Sequence, residues 1–248
     1  MHTFFTPELT KAASLVPLPP DEAHHAGKVL RLRDGDDIRL INGRGTVALA
    51  RFRPEGKKKA SAEIVSAEEM PKPVPAVTVF LGMLKNRQRM EWAVEKLTEL
   101  GVHRILIGET ERTERQKLRT DRLEALALSA AKQSLSAWIP EIQLVSFQDA
   151  LEHMASAGES LLPVMAHEKM VRADGNASQS FMGIWDDAKS KSPAEILLFI
   201  GPEGGFSDDE VAAAQALPGM KLLHLGPQRL RAETAAVVCA GLFCVSHV

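Results

Sequence analysis

Beyond residue 76, the chain alternates between short apolar segments of strand length and longer helical patterns. The strand-type segments are 77–83, 102–107, 142–145, 161–165, 196–200 and 222–225. Helical patterns, such as those at 88–100 and 121–134, separate most of them. Such alternation is typical of a parallel sheet covered by helices on both faces. The sequence therefore predicts an α/β domain with a mostly parallel sheet.

The first 70 residues predict a smaller, β-rich module. Residues 37–41 and 46–52 alternate with period two around the turn-forming 42–45 (NGRG), and 63–65 is a weaker third strand. Upstream, 21–31 is predicted to be a short helix capped by Asp21. Three prolines in 70–75 (MPKPVP) oppose both helix and strand and act as a stiff spacer. We place the domain boundary there, giving domains 1–71 and 72–248.

Charge is distributed unevenly along the chain. Residues 28–59 hold ten Lys/Arg against four Asp/Glu, a balance of +6, so the rest must carry −8 to give the net charge of −2. A basic block of this kind favours a polyanionic partner such as nucleic acid, although a solvated loop would look the same. Tyrosine is absent and aromatic residues make up only 5%. This composition argues against a module that stacks single-stranded bases on an aromatic sheet.

Neither a membrane segment nor a metal site is expected. No apolar run approaches the roughly 18 residues that span a bilayer, and the N-terminus lacks the pattern of a secretory signal. Cys239 and Cys244 are five residues apart in an apolar helical segment and are interpreted as core thiols. His24 and His25 are adjacent, so on a helix they diverge and cannot chelate one ion. The cytoplasm is the simplest compartment for such a chain.

Two glycine-led loops follow strand-type segments near the C-terminus, at 200–207 (IGPEGGFS) and 225–234 (LGPQRLRAET). Ligands of open α/β sheets bind beyond the carboxyl ends of the strands, so the two loops predict one cofactor pocket. The first has neither the G-x-G-x-x-G spacing of a dinucleotide fingerprint nor the Gly-Lys-Ser/Thr of a P-loop. Ser207 and Glu210 have capping-box spacing, which predicts a helix from about Asp208. Ordinary structural turns remain the alternative.

The second loop concentrates charge just before an apolar helical segment, which we expect to be buried on all sides. Arg229, Arg231 and Glu233 lie within five residues of one another. Charges at the mouth of a buried helix are costly unless they are paired or serve a ligand. An Arg–Glu pair that caps the helix is the structural alternative to a ligand site.

Five segments, taken together, resemble one known family. They are His25 with 29–31 (VLR) and 35–36 (GD), then 96–102 (KLTELGV), 110–113 (TERT), 200–205 (IGPEGG) and 230–235 (LRAETA). In this order they resemble the RsmE family of SPOUT-class RNA methyltransferases, which methylate N3 of a uridine in 16S ribosomal RNA. The resemblance implies a PUA-like β-barrel followed by a SPOUT-type α/β domain whose C-terminus forms a trefoil knot. It also implies a homodimer, with 16S rRNA or the small ribosomal subunit as partner.

The resemblance further implies S-adenosyl-L-methionine as cofactor, converted to S-adenosylhomocysteine, with no metal. The cofactor would lie on three loops, two of them the glycine-led loops. The residues implied to bind it are Ala166, His167, Ile200, Gly201, Pro202, Glu203, Gly204, Leu225, Gly226, Leu230, Arg231 and Thr234.

Functional roles follow from the same resemblance together with the chemistry of the base. Loss of the N3 proton leaves negative charge on the uracil, which a fixed guanidinium would stabilise, so Arg231 is the expected catalytic group. Glu233 would orient Arg231 or the cofactor, and Glu203 is a candidate general base. The residues expected to contact RNA are His25, Lys28, Arg31, Arg33 and Arg112. A different RNA target, or a non-catalytic RNA-binding assembly factor, are the alternatives.

The sequence departs from the family pattern at three places, one of which is the loop at 85–90, one residue longer than usual. A segment that usually reads Glu-Gln followed by Arg is here 132–136 (KQSLS), with departures at Lys132 and Ser136, and only Gln133 is retained. After 225–227 (LGP), Gln228 and Arg229 stand where a basic and then a hydrophobic residue are usual. We expect these changes to affect contacts with RNA or a second subunit more than cofactor binding.

Overall fold

The structure is a computed structural model that describes residues 1–56, 59–113, 118–167 and 179–245. Lys57 and Lys58 of the basic block, and 114–117 of the charged segment after 110–113, lie outside the described residues. Contacts divide the chain into two units. The first comprises Met1–Lys72 with Ala127–Ile139, and the second comprises Pro73–Leu126 with Pro140–Val248.

The first unit contains a five-stranded sheet in the order β1-β3-β4-β5-β2. Its strands are β1 (His2–Phe5), β2 (Leu15–Pro17), β3 (Asp37–Ile41), β4 (Thr46–Pro54) and β5 (Ala60–Glu69). The predicted hairpin is confirmed as β3 and β4, which pair antiparallel. Asn42 fixes its turn, because its Oδ1 accepts from the amides of Arg44 and Thr46 at 2.8 and 3.0 Å. Sequence analysis missed β1 and β2, which are only four and three residues long.

A short helical segment links β2 to β3. Helix α1 (Pro20–His24) runs directly into a π-helical turn, His25–Val29. The predicted cap is wrong: Pro19 occupies the N-cap position without a side-chain hydrogen bond, and Asp21 lies in the first turn. Proline at the first helical position lacks the N–H that a cap would satisfy, so the N-cap lies two residues earlier than the Asp21 signal suggested.

Residues 127–139 join the first unit through side-chain contacts. The ammonium of Lys132 donates to both carboxylate oxygens of buried Glu22, at 2.7 and 2.9 Å. The guanidinium of Arg39 donates to the carbonyl of Leu135 at 2.8 Å. The contacts thus group a segment from the middle of the chain with the N-terminal residues. No local sequence pattern indicates such a long-range association.

The second unit contains a six-stranded sheet in the order β11-β9-β10-β6-β7-β8, and every neighbouring pair is parallel. Its strands are β6 (Ala76–Gly82), β7 (Arg104–Glu109), β8 (Glu141–Ser146), β9 (Leu161–Ala166), β10 (Glu195–Ile200) and β11 (Lys221–Leu223). The predicted α/β class and parallel sheet are confirmed, as are all six strand positions. For most of them sequence analysis succeeded because buried parallel strands are continuous apolar runs, whereas β8 has no buried residue.

Helices connect these strands. They are α2 (Arg87–Glu99), α3 (Thr120–Gln133), α4 (Phe147–Ala157), α5 (Phe181–Lys191), α6 (Asp208–Gln215) and α7 (Ala232–Val245). The capping box before α6 is confirmed: Ser207 Oγ accepts from the Glu210 amide at 3.1 Å, and the Glu210 carboxylate accepts from the Ser207 amide at 2.8 Å. None of the helices within the described ranges is long and apolar enough to cross a membrane.

Helix α7 is buried on one face only, so the prediction of burial on all sides is wrong. Ala236, Cys239 and Phe243 are fully buried, whereas Val238 and Val245 are 38% and 61% exposed. The buried face packs against α2 and against strands β6 and β10, and the residues that the structure describes do not cover the opposite face. Burial raises the pKa of the Cys239 and Cys244 thiols to about 12, as expected of core thiols.

Candidate functional site

Three loops of the second unit enclose a cleft of about 590 Å³ at the carboxyl edge of the sheet. They follow β9, β10 and β11, which are neighbours because β9 lies between the other two. The carboxyl ends of neighbouring parallel strands meet at one edge, so the chain brings distant segments together there. Every residue expected to bind the cofactor lines this cleft except Thr234, which lines a second cleft described below.

Backbone packing shapes the loop after β10. A Cβ on Gly82 would lie 2.5 Å from the nitrogen of Pro202, and one on Gly201 would lie 3.0 Å from Gly205. Gly205 has a φ of 68°, and its amide donates to the Pro202 carbonyl at 2.9 Å. Glycine is therefore required both where the loop passes β6 and where it folds back on itself. The loop presents its main chain, rather than side chains, to the cleft.

Glu203 is held by the backbone of another loop. Its Oε1 and Oε2 lie 3.1 and 3.3 Å from the amide nitrogen of Lys85, which donates to the carboxylate. Lys85 precedes Asn86, whose Oδ1 caps α2 by accepting from the Arg89 amide at 3.2 Å. The carboxylate therefore braces the glycine loop against the start of α2. This contact gives Glu203 a structural task, which weakens the case for it as a general base.

Two further contacts hold the same loop from the side of β7. Arg112 Nη1 donates to the Gly204 carbonyl at 2.9 Å. The Glu210 carboxylate, besides completing the capping box, accepts from the Glu111 amide at 2.8 Å. Arg112 was expected to contact RNA, and the structure places it in the lining of the cofactor cleft. The segment after β7 thus contributes to this wall of the cleft.

The loop after β11 leads into α7. Gly226 has a φ of 109°, which favours glycine, and its amide donates to His224 Nδ1 at 3.3 Å. At the other end of the loop, the carbonyl of Arg231 accepts the first helical hydrogen bond, from the Ala235 amide at 2.8 Å. The Arg231 side chain is exposed and lines the cleft, and its guanidinium has no ion-pair partner in the part of the chain that the structure describes. A cation is thus available at the rim.

Glu233 pairs with an arginine that sequence analysis did not select. Its Oε1 lies 3.5 Å from Nε of Arg89 on α2, so this Arg–Glu pair at the start of α7 involves α2 rather than the loop before α7. Glu233 is 7% exposed, and its Oε2 accepts no hydrogen bond from the described residues. The contact joins residues far apart in the chain. The only local signal for it was a charged residue at the mouth of an apolar helix.

The residues of the first unit expected to contact RNA are all exposed. His25 and Lys28 lie in the π-helical turn, and Arg31 and Arg33 follow it. Arg31 has a φ of 55°, a left-handed conformation that is unusual for a non-glycine residue. The turn therefore presents four basic or titratable side chains close together in sequence. Such a group suits contacts with phosphate oxygens.

The structure separates the departures from the family pattern into two kinds. Lys132 pairs with Glu22, and Ser136 Oγ donates to the Trp138 carbonyl at 2.7 Å, so both have local structural roles within the first unit. Gln228 and Arg229, by contrast, line the cofactor cleft. A change at Gln228 or Arg229 can therefore affect the ligand site itself.

The cleft residues fit S-adenosylmethionine. Three loops offer main-chain groups, glycines allow close approach, and apolar side chains such as Ile200 and Leu230 can contact an adenine ring. The volume of about 590 Å³ lies within the range of small-molecule sites. Within the described residues, no group of three or more His, Cys, Asp or Glu side chains is arranged to hold a metal ion.

Comparison with known proteins gives consistent results for both parts of the chain. Residues 70–244 match the family model of the RNA methyltransferase domain, and residues 18–65 match that of the RNA methyltransferase PUA domain. The crystal structure of a "probable rRNA-methyltransferase from Porphyromonas gingivalis" is 32% identical, with a TM-score of 0.81, and covers 98% of this chain and 97% of its own. Ribosomal RNA small subunit methyltransferase E from Neisseria gonorrhoeae, bound to S-adenosyl methionine, is 26% identical with a TM-score of 0.79, covering 97% and 95%.

Curated relatives agree with these structures. Ribosomal RNA small subunit methyltransferase E of Rickettsia conorii is 30% identical over 86% of this chain and 82% of its own length. The Mycobacterium bovis protein of the same name is 30% identical over 96% of this chain and 89% of its own. Family models, relatives and structures together cover nearly the whole chain. The chain therefore belongs to the ribosomal RNA small subunit methyltransferase E (RsmE) family of RNA methyltransferases.

Proposed function

We propose that this protein transfers a methyl group from S-adenosylmethionine to N3 of a uridine in the 16S RNA of the small ribosomal subunit. The observation that carries this proposal is the three-loop cleft with Arg231 exposed at its rim. Names of the relatives and the cofactor-bound structure from Neisseria gonorrhoeae support the reaction class and the donor. The uracil-N3 target follows from the sequence resemblance and from the chemistry of the cleft.

Bound in this cleft, S-adenosylmethionine supplies an electrophilic methyl group on a sulfonium sulfur. The protein's own task is to hold the two reactants in line, which can provide as much as about 7–11 kcal/mol of the barrier. Main-chain groups around Gly201, Gly204, Leu225 and Gly226 hold the donor. The guanidinium of Arg231 favours the uracil in its deprotonated, negatively charged form.

RNA recognition is assigned to both units. His25, Lys28, Arg31 and Arg33 contact phosphates through the exposed turn of the first unit, and contacts of this kind position the RNA without reading its sequence. The match of residues 18–65 to an RNA methyltransferase PUA domain supports this assignment. Arg112 acts mainly as a brace of the glycine loop, because its guanidinium is bound to the Gly204 carbonyl.

We further propose that the protein is a homodimer, with the C-terminal segment threaded as a trefoil knot. The uncovered face of α7, where Val238 and Val245 are exposed, supports the dimer. Apolar side chains on one helix face are stabilised when a second subunit removes them from water.

Calorimetric titration with S-adenosylmethionine tests the enzymatic proposal against a non-catalytic assembly factor. We expect saturable binding at one site per chain, and no detectable affinity would contradict every methyltransferase assignment. A methyltransferase with a different RNA target would bind the cofactor equally well, so the target needs the RNA measurement that closes the Discussion.

A variant in the brace of the glycine loop tests how the cleft is held. Glu203→Ala removes the acceptor for the Lys85 amide, so the loop should become less ordered and the Kd for S-adenosylmethionine should rise about tenfold. Turnover at saturating cofactor should remain within about threefold of wild type. Asp209→Ala, an exposed carboxylate on α6, is the matched control. A loss of turnover of about 100-fold or more, at unchanged Kd, would instead restore Glu203 as a general base.

A further inference from the structure

A second cleft, of about 390 Å³, adjoins the cofactor cleft between α2 and the start of α7. Arg231 lines both clefts. Asn86, Gln88, Arg89 and Trp92 contribute the wall on the side of α2, and Glu233 lies opposite on α7. The two clefts therefore share one side chain, the guanidinium already assigned to the reaction.

The Glu233 carboxylate, which lines this cleft, has one oxygen without a hydrogen-bond donor among the described residues. That oxygen, Oε2, is buried, and Arg89 Nε approaches Oε1 only to 3.5 Å. A buried charge without hydrogen bonds costs free energy that a native structure normally offsets. An N–H donor from a ligand would complete the site.

The polar groups around Glu233 match one edge of a uracil. That edge presents a carbonyl, the N3–H and a second carbonyl, which accept, donate and accept in turn. Arg89 and Arg231 offer donors, and Glu233 in the same lining offers an acceptor. Cytosine has no N3–H to donate, so the same carboxylate would disfavour it.

Trp92 provides the apolar surface that a base requires. Its indole is 42% exposed, although a large apolar ring in water is unfavourable. Bases that leave an RNA helix stack on aromatic side chains, and Trp is effective because its face is large. The indole and the carboxylate line the same cleft, so one base could contact both.

We propose that this second cleft binds the uracil to be methylated, stacked on Trp92, and that Glu233 accepts its N3 proton. The inference deepens the proposed function and rests on it. The proton moves from N3 to the carboxylate, and the N3 electron pair forms the new bond to the methyl carbon. The methyl–sulfur bond breaks with its electron pair remaining on sulfur, so the sulfonium becomes a neutral thioether.

The first test measures binding without cofactor. Small subunits are purified from a strain lacking the gene and from its parent, so that they differ in the methyl group. Wild-type protein should bind the unmethylated subunits about tenfold more tightly, because only they carry the N3–H. Glu233→Met should reduce this preference to less than twofold, whereas Glu95→Met, at a half-buried acid on α2 that lies outside the lining of the cleft, should retain it. A preference unchanged in Glu233→Met overturns the proposal.

The second test measures single-turnover methyl transfer to small subunits reconstituted with 16S RNA containing uracil or 5-fluorouracil. Fluorine withdraws electrons and makes N3–H more acidic, so a missing proton acceptor matters less. Glu233→Gln should be about 100-fold slower than wild type on uracil. On 5-fluorouracil this defect should shrink at least tenfold. An equal defect on both RNAs would show that Glu233 only supports the fold, and would contradict its role as proton acceptor.

Variants of Trp92 test whether the second cleft is occupied by a base or by a second copy of the chain. Trp92→Ala should weaken binding of unmethylated subunits about tenfold, and Trp92→Phe should restore most of it. If Trp92→Ala instead dissociates a dimer in sedimentation while subunit affinity is unchanged, the cleft belongs to a subunit interface and the proposal is wrong. A failure of the proposed function itself would be seen separately, as N3-methyluridine that persists in subunits from the deletion strain.

Discussion

Arg231→Ala should lose about 100- to 1,000-fold in single-turnover methyl transfer while keeping its affinity for S-adenosylmethionine within about threefold. The guanidinium lies at the rim of the cofactor cleft without an ion-pair partner among the described residues, so its charge is available to the uracil. The backbone of Arg231 accepts the first hydrogen bond of α7 through its carbonyl, which alanine preserves. The side chain can therefore be removed without disturbing the loop that holds the donor.

Two matched variants show whether the loss of rate is due to the guanidinium of Arg231. Arg231→Lys retains the positive charge but not the planar, multiple donors of a guanidinium, and should recover only part of the rate. Arg119→Ala removes an exposed arginine paired with Asp121 and should behave as wild type. Methyl transfer is measured with labelled cofactor, and cofactor affinity by calorimetry. Reduced cofactor affinity at unchanged turnover would contradict the role assigned to Arg231.

Gly108→Ala should destabilise the second unit by about 3 kcal/mol or more. Gly108 lies on β7, and a Cβ there would be 1.9 Å from Cζ of Phe80. Phe80 cannot move aside, because it is fully buried and its ring packs against Phe147 and Phe199 at centroid distances of 5.7 and 5.5 Å. The phenyl ring of Phe80 fits into the core because Gly108 has no side chain.

A second change separates this clash from the general effect of losing a glycine. Phe80→Leu in the Gly108→Ala background should recover part of the lost stability, a non-additive result expected of residues in contact. Gly183→Ala, on α5 with no atom closer than 3.8 Å to the new Cβ, should be neutral or stabilising. Denaturant midpoints by circular dichroism give the comparison. Equal midpoints for wild type and Gly108→Ala would contradict the packing argument.

The parts of the fold predicted correctly are those determined by neighbouring residues. Buried parallel strands such as β6 and β10 are continuous apolar runs, and the Ser207–Glu210 capping box acts over three residues. The positions of the two glycine-led loops followed from where strands end, whereas the third loop of the cleft was implied only by the family resemblance. In each case the pattern and its physical cause lie within about ten residues.

Contacts between distant residues account for what sequence analysis missed. The brace from Glu203 to the Lys85 amide spans 118 residues, and Arg89 meets Glu233 across a still longer stretch. Lys85 and Arg89 are not distinguished locally, so no pattern could pair them with Glu203 and Glu233. Burial of α7 was overestimated for a related reason: its composition is apolar throughout, and only the fold shows that Val238 faces away from α2 and the sheet.

The central claim, methylation of uracil N3 in 16S RNA, is tested most directly by nucleoside mass spectrometry of that RNA. In a strain lacking the gene, N3-methyluridine should be absent from 16S RNA, and a plasmid copy of the wild-type gene should restore it. A plasmid carrying Arg231→Ala should fail to restore it to the wild-type level. N3-methyluridine that persists in the deletion strain would contradict the proposed function.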